Sequence, residues 1–309
     1  MIQTKQFVLV LCILLASTLT YSQTTLNLVN SYSISDDVNE PSGLAYDKLN
    51  NQLFSVSDTG DIYRLSATGN LLDTYDLSGD LEGVSTYNTP NTLLVAIENT
   101  YEIIEYNYVT GSSTSHTMDY DNQEDPGSGI EGVTYNNNTG EIYFLNEKDP
   151  GALIVANSNF NVTDEYELTY AGDYSASYYV EETNELWLGS DNSSIIYKCN
   201  TDGSVIETFE MSIDGDELDK LEGIAIDYDN QLLYVVTDGG GELLVYEINE
   251  ETTEDSLSVS SLSAFNANGG SQTISVTANI DWTVSENSNW ITINRTSGSD
   301  NGSVSVTTT

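Results

Sequence analysis

Five segments of this chain follow one template, and that repetition limits the possible folds more than any other feature. They are "EPSGLAYDKLNNQLFSVSD", "LEGVSTYNTPNTLLVAIE", "IEGVTYNNNTGEIYFLNE", "SASYYVEETNELWLGSD" and "LEGIAIDYDNQLLYVVTD". Their anchor residues are Gly43, Gly83, Gly132, Ala176 and Gly223, spaced 40, 49, 44 and 47 residues apart. Repeats of about 40–50 residues with strand-like content signal the blades of a β-propeller. Inside each unit Leu, Ile, Val, Tyr and Phe alternate with smaller or polar residues, and Asn, Asp and Gly separate the runs. The first unit reads as strands at "GLAY", "QLFSVS", "DIYRL" and "NLLDTYDL". No long stretch has helical periodicity. The last unit lacks a fourth strand after "GELLVYEIN", whereas "TLNLVNSYSI" (Thr25 to Ile34) reads like the fourth strand of the first unit. We therefore expect an all-β, five-bladed propeller in which this N-terminal strand completes the last blade and removes open sheet edges.

The two ends of the chain differ from the repeats. Residues 1–22 carry a lysine, an apolar run from Phe7 to Ala16 and then small polar residues, the pattern of a secretory signal with cleavage near Ser22-Gln23. The run is shorter than the ~20 apolar residues that a spanning helix needs, and no other segment qualifies. Residues 23–250 form the expected propeller, 251–256 an acidic linker and 257–309 a Ser-, Asn- and Thr-rich module with alternating strands, as in an Ig-like sandwich. That module ends on a strand with no closing element, so we expect it to be truncated. Once the signal is removed Cys199 is the only cysteine, which leaves no internal disulfide to hold the fold.

Charge bears directly on function. Seven Lys and Arg stand against 49 Asp and Glu, a formal net charge of −42. Such a surface offers no phosphate-contacting patch, so nucleic acid is excluded as a partner. Solubility and resistance to association explain acidity in general and fit a monomer. The repeats suggest a more specific use. Fifteen residues after each anchor stands an acid: Asp58, Glu98, Glu147, Asp191 and Asp238. The first strand runs away from the anchor and the second returns, so both positions lie at one end of the hairpin. The residue before the anchor adds Glu82, Glu131 and Glu222, with Ser42 and Ser175 in the other units, and Glu40 lies two residues before Ser42. Nine carboxylates are thereby expected around one mouth of the central channel.

Acids at strand ends are also ordinary turn formers, but five at one fixed offset call for a common cause. Two like charges ~4–6 Å apart cost about 3–4 kcal/mol at an effective dielectric of ~20. Their gathering implies raised pKa values or a bound cation. Hard oxygen donors suit Ca²⁺, whereas the lack of His and Cys ligands argues against zinc and copper. His116 is the only histidine and falls on an expected outer strand, so no Ser-His-Asp set can assemble at the mouth. The acidic loop "DGDELDK" lacks EF-hand spacing and reads as a solvated loop. Tyr178 and Tyr179 read as fillers between blades.

The E-P-S-G opening at Glu40–Gly43, the repeated E-G-[IV] and the strand "TGNLLDTYDLSG" resemble the SdiA-regulated family of bacterial propellers, over roughly Asn39 to Asn249. That resemblance implies a five-bladed propeller, distantly similar to NHL-repeat propellers, with a calcium site and no established activity. The fourth unit departs from it, with "YSAS" in place of E-G. The C-terminal "GGSQTISV", "WTV", "WITI" and "SGSDNGSV" resemble the BACON domain, which implies carbohydrate binding with Trp282 and Trp290 as possible sugar platforms. Their positions in alternating strands favour core filling instead. The function expected from all this is a secreted or cell-surface, calcium-binding propeller that takes an extracellular small molecule or glycan. A calcium-dependent hydrolase of the lactonase or esterase kind is the alternative, and surface display a third.

Overall fold

The computed structural model describes residues 22–121, 129–213, 216–218, 220–237, 241–252 and 256–309. The expected signal lies almost entirely outside them. The chain divides into a unit spanning Thr24–Asn249 and a second that contains Glu250–Thr309. No α-helix occurs among the described residues, and no helix is long and apolar enough to cross a membrane.

The larger unit opens with strand β1 (Ser22–Ser33). The first sheet follows as β2 (Pro41–Asp47), β3 (Gln52–Ser57), β4 (Asp61–Ser66) and β5 (Leu71–Asp76). The second holds β6 (Leu81–Thr86), β7 (Thr92–Ile97), β8 (Glu102–Asn107) and β9 (Ser112–Thr117). The third holds β10 (Ile130–Tyr135), β11 (Ile142–Asn146), β12 (Ala152–Ala156) and β13 (Val162–Glu167). The fourth holds β14 (Ala176–Val180), β15 (Glu185–Ser190), β16 (Ile195–Cys199) and β17 (Val205–Glu210). Each is an antiparallel meander in chain order. A short hairpin, β18 (Ser212–Ile213) with β19 (Asp216–Glu217), stands where a plain loop was expected from "DGDELDK". Asp214, Gly215 and Asp219 of that segment lie outside the described residues. The last sheet contains β20 (Leu221–Asp227), β21 (Leu232–Thr237) and β22 (Glu242–Thr252), and β1 is its fourth strand, beside β22.

Alternation along the second strand of each sheet decides how the sheets pack, because successive side chains leave opposite faces. Leu93 and Val95 meet Phe54 and Val56 of the first sheet, while Leu94 and Ala96 meet Ile142 and Phe144 of the third. Tyr143 and Leu145 pack on Leu186 and Leu188, and Trp187 packs with Leu233 and Val235. The other face of β21 carries Tyr234 and Val236, which pack with Leu53 and Leu65 of the first sheet. Strands covered on both faces must be apolar throughout, and all six residues of β3 and of β7 are buried. Outermost strands such as β9, "SSTSHT", are polar and exposed.

Glycines set the spacing of the first strands. A Cβ on Gly43 would lie 2.6 Å from the Glu82 carbonyl oxygen, and one on Gly83 2.4 Å from that of Glu131. A Cβ on Gly132 would meet Ser177 Oγ at 2.6 Å, and one on Gly223 would meet the Gly43 backbone at 2.6 Å. Four of the five anchors are therefore contact points between neighbouring sheets. Cys199 is buried and forms no disulfide among the described residues.

The second unit contains β23 (Leu257–Val259), β24 (Gly270–Ala278), β25 (Asp281–Thr283), β26 (Ile291–Ile293), β27 (Ser297–Ser299) and β28 (Gly302–Thr308). They form a four-stranded sheet, β23-β24-β28-β26, and a two-stranded one, β25-β27. Trp282 is 2% exposed at the centre of its core, and its indole N–H donates to the Asp300 carbonyl at 2.8 Å. Gly298 and Gly302 leave room for the ring, so Trp282 fills the core. Trp290 packs against the same cluster.

Because Gly83 touches rigid backbone rather than a side-chain tip, Gly83→Ala should destabilise the larger unit by roughly 1–3 kcal/mol through overpacking. A lower urea midpoint is expected. An unchanged midpoint would refute the close approach of the second and third sheets.

Candidate functional site

The first strands all begin at the same end of the larger unit, and in four of the five sheets they begin with an irregularity. Pairing shifts between Ser42 and Leu44, between Leu81 and Gly83, between Ile130 and Val133, and between Leu221 and Gly223. A β-bulge places two residues opposite one and re-aims the side chain at the extra position. Glu82 and Glu222 are themselves the extra residues. The fourth sheet pairs Ala176 with Gly189 without a break, which accounts for its lack of the E-G signature. Each residue at the +15 offset follows its second strand directly: Asp58 after β3, Glu98 after β7, Glu147 after β11 and Asp191 after β15.

These two geometries bring Glu40, Asp58, Glu82, Glu131, Glu147, Asp191 and Glu222 into the wall of one open cavity of about 210 Å³. Ser42, Asp173, Ser175 and Lys220 complete its lining. Glu98 joins through contact: ligand oxygens of Glu98, Glu131 and Glu147 lie within 4.8 Å of one another. Asp58, Asp80 and Glu82 form a second such trio. Asp238 lies outside the described residues. Of the nine expected carboxylates, the structure thus gathers the other eight.

Two members were missed. Asp80 and Asp173 stand three residues before their anchors, the same position as Glu40. An acid recurs there in three of five units, a signal as regular as the one before the anchor. Their environments differ. Asp173 is 4% exposed and fully engaged by the neighbouring turn, accepting from Ser190 Oγ at 2.6 Å and Asn192 Nδ2 at 2.8 Å. It organises the loop carrying Asp191. Asp80 accepts from the Asn99 amide beside Glu98.

The electrostatic cost of this arrangement is written in the glutamates. Burial pushes Glu82 up to about 9, with Asp58, Asp80, Glu98 and Glu222 adding to the shift. Glu131 is only 9% exposed, and its carboxylate accepts no hydrogen bond among the described residues. Burial first, then Glu82, Glu147, Glu98 and Glu222, hold it well above the ordinary carboxyl range. Glu98 is raised by burial, with Asp80 and Glu147 contributing, although the Gly129 N–H at 3.4 Å opposes the rise. Elsewhere Asp58 accepts from Ser42 Oγ at 3.1 Å. Besides Lys220 in the cavity wall, Lys148 brings positive charge to the site and pairs with Glu147. Burial alone would lower the Lys148 pKa, but Glu147, with Glu131 and Glu98 behind it, holds it above the usual value.

Chemically the cavity offers carboxylates, two serine hydroxyls and a lysine. His116 is remote from it, on β9, with Nε2 2.9 Å from Glu105 and its ring stacked on Phe160 at 3.6 Å. Tyr178 donates to the Ile226 carbonyl at 2.9 Å, and Tyr179 stacks on Tyr143 at 5.7 Å, so both tie neighbouring sheets together.

Four-stranded antiparallel meanders packed face to face, with their first strands gathered around a carboxylate-lined mouth, define a β-propeller. The crystal structure of Myxococcus xanthus glutaminyl cyclase has the same kind of fold. It aligns with a TM-score of 0.58 at 13% identity, over 73% of this chain and 97% of that one. The chain belongs to the SdiA-regulated family, whose profile matches residues 17–240. No curated protein matches the sequence.

The glutamate shifts predict how the metal-free protein responds to pH. Unfolded, Glu82 ionises near its ordinary value of 4.5, and folded, near 9. Between those values the folded chain retains a proton that the unfolded chain releases, so rising pH disfavours folding. In chelator, Tm should fall from pH 5 to pH 9, and Glu82→Gln should flatten that slope. A Tm that rises over this range, or a slope unaffected by the substitution, would contradict the assignment.

Proposed function

We propose that this protein is an exported, monomeric, calcium-binding β-propeller of five blades, the last completed by β1, which recognises an extracellular small molecule or glycan. Glu131 carries the metal assignment. A glutamate that is nine-tenths buried, beside Glu98 and Glu147, has no hydrogen-bond donor and no ion-pair partner of its own among the described residues. Carboxylate oxygens with no thiol or imidazole among them fit a hard cation, and Ca²⁺ accepts six to eight oxygens in irregular geometry. Glu98, Glu131 and Glu147 form one holding group and Asp58, Asp80 and Glu82 another, with Glu40, Asp191, Glu222 and Asp238 as further candidates. Bound there, calcium supplies positive charge that offsets carboxylate repulsion and leaves the charged state of the glutamates favourable at neutral pH.

Export is supported by the lysine, short apolar run and small polar residues of segment 1–22. Release from the cell or retention at its surface both fit. The C-terminal unit supports a BACON-like reading through its strands and motifs, with Trp282 serving the core rather than a sugar.

Recognition is favoured over hydrolysis by the chemistry of the lining. Among the described residues that line the cavity there is neither histidine nor cysteine, and the lone histidine is engaged on an outer strand. Among the described residues no activated nucleophile is assembled at the cavity. A calcium-dependent lactonase or esterase remains the competing reading, and it makes a different prediction.

Calorimetry of the chelated, full-length protein should show calcium binding, with Tm rising as calcium is added. Glu131→Gln should weaken that binding by about tenfold or more, equivalent to about 1.4 kcal/mol. No heat and no Tm change on calcium addition would refute the metal site. Calcium-dependent turnover of a lactone and ester panel would replace recognition with catalysis.

A further inference from the structure

The opposite end of the first strands carries a second cavity, larger than the acidic one at about 260 Å³. It draws on every sheet of the propeller: Tyr46 from the first, Thr86 from the second, Tyr135 from the third, Tyr178 from the fourth and Ile226 from the fifth, with Tyr228 from the turn that follows it. The strands that begin at the carboxylate mouth end here, so this is the other mouth of the same channel.

Its chemistry is different. Hydroxyls of four wall tyrosines are engaged by the protein itself: Tyr46 with Asp227 at 2.8 Å, Tyr135 with Asn88 at 2.8 Å, Tyr178 with the Ile226 carbonyl at 2.9 Å and Tyr179 with Asn184 at 2.9 Å. An occupant therefore meets aromatic rings more than phenol oxygens. At the rim stand Glu181 and Glu182, and one cation, Lys48. Lys48 reaches from the first sheet across the rim, with its ammonium 3.4 Å from Glu182 and 2.9 Å from Asp229. Lys48 and Glu182 line the same cavity as the tyrosines, so a carboxylate that holds an ammonium stands at the edge of an aromatic-walled space, and carboxylates beside aromatic faces are what attract organic cations.

The Lys48 pairs are solvent-exposed, with side-chain exposures of 58% for Lys48, 37% for Glu182 and 61% for Asp229. Exposed pairs of this kind hold weakly, typically under 1 kcal/mol. Lys48 is thus a replaceable occupant of its own rim. We propose that this second mouth is a binding site for a small primary amine, whose ammonium displaces that of Lys48 at Glu182 and Asp229 while its carbon body rests on the tyrosine rings. The site is independent of the metal centre.

The test uses the full-length protein in saturating calcium at 0.15 M salt, with n-butylamine as probe and 1-butanol and glucose as neutral comparisons, followed through tyrosine ring resonances by NMR. The amine is expected to bind and to shift Tyr46, Tyr178 and Tyr228, while 1-butanol and glucose bind at least about fivefold more weakly. Lys48→Met removes the internal competitor and should tighten amine binding about two- to fivefold, matching the weak pairs it breaks. Glu182→Gln should weaken it about fivefold. Both substitutions are exposed, and an unchanged thermal melt checks that the fold persists. Amine binding indifferent to Glu182→Gln would place the probe elsewhere, as in the carboxylate mouth, and overturn the proposal. Equal binding of 1-butanol, preferential binding of glucose or no binding at all would overturn it too.

Discussion

Backbone proximity at the glycine anchors is the constraint on which the rest of the propeller depends. At Gly43, Gly83, Gly132 and Gly223 the neighbouring sheet leaves no room for even a methyl group. Such crowding brings the starts of separate strands together, and the adjoining bulges turn Glu82 and Glu222 out of the ladder. The acidic mouth is a consequence of packing before it is a matter of function: side chains at these positions must meet, whatever they are. Choosing glutamate for so many of them then creates an electrostatic problem that a hydrophobic or hydroxyl-bearing mouth would not have. The fourth sheet illustrates the alternative. Ser175 there donates to the Leu221 carbonyl at 2.5 Å, and the strand runs without a bulge.

That problem is solved unevenly across the mouth. Asp173 is silenced by hydrogen bonds from Ser190 and Asn192. Glu147 has Lys148, and Asp58 has the Ser42 hydroxyl. Among the described residues Glu131 has neither, although it is the most buried glutamate of the group. Desolvation penalises a charge most where no partner compensates, so the unresolved part of the repulsion is concentrated between the second and third sheets. On the proposed calcium reading, a divalent ion competes there with Lys148 for Glu147, which makes the lysine a counterweight on affinity rather than a mere neighbour. The overall charge of −42 adds a diffuse attraction for cations, but only local geometry distinguishes this mouth from the many acids on exposed outer strands.

Much of this was legible in the sequence because hairpin geometry converts offsets into places. The anchor and the residue fifteen positions on are joined by two strands of similar length in every unit, so Asp58, Glu98, Glu147 and Asp191 had to return to the starting end. Strand boundaries followed the same logic: "QLFSVS" is β3, residue for residue. What escaped was whatever depends on rotamers and cross-strand partners. The division into two trios and the self-sufficiency of Asp173 belong to that class. Asp80 escaped for a different reason, since the regularity at the third residue before the anchor was present but overshadowed by the E-G pairs. The short hairpin at β18 and β19 escaped because its strands are two residues each, too short for any periodicity to register.

The two mouths of the channel follow from one architectural fact with opposite chemical results. At the starting end, bulges and glycines admit only short, close backbone contacts, and the carboxylates converge on one another. At the far end the strands diverge into turns, and the space between them is filled by tyrosines whose hydroxyls brace adjacent sheets, as Tyr178 does against Ile226 and Tyr46 against Asp227. Rings braced in this way keep fixed positions, so the far mouth is preorganised without a metal, whereas the near mouth carries a repulsion that ordering alone cannot remove. On the readings proposed above, a cation is a structural component at one end and an exchangeable visitor at the other. The difference lies in burial: Glu131 is largely buried among acids, while Glu182 and Asp229 face water and already share the ammonium of Lys48.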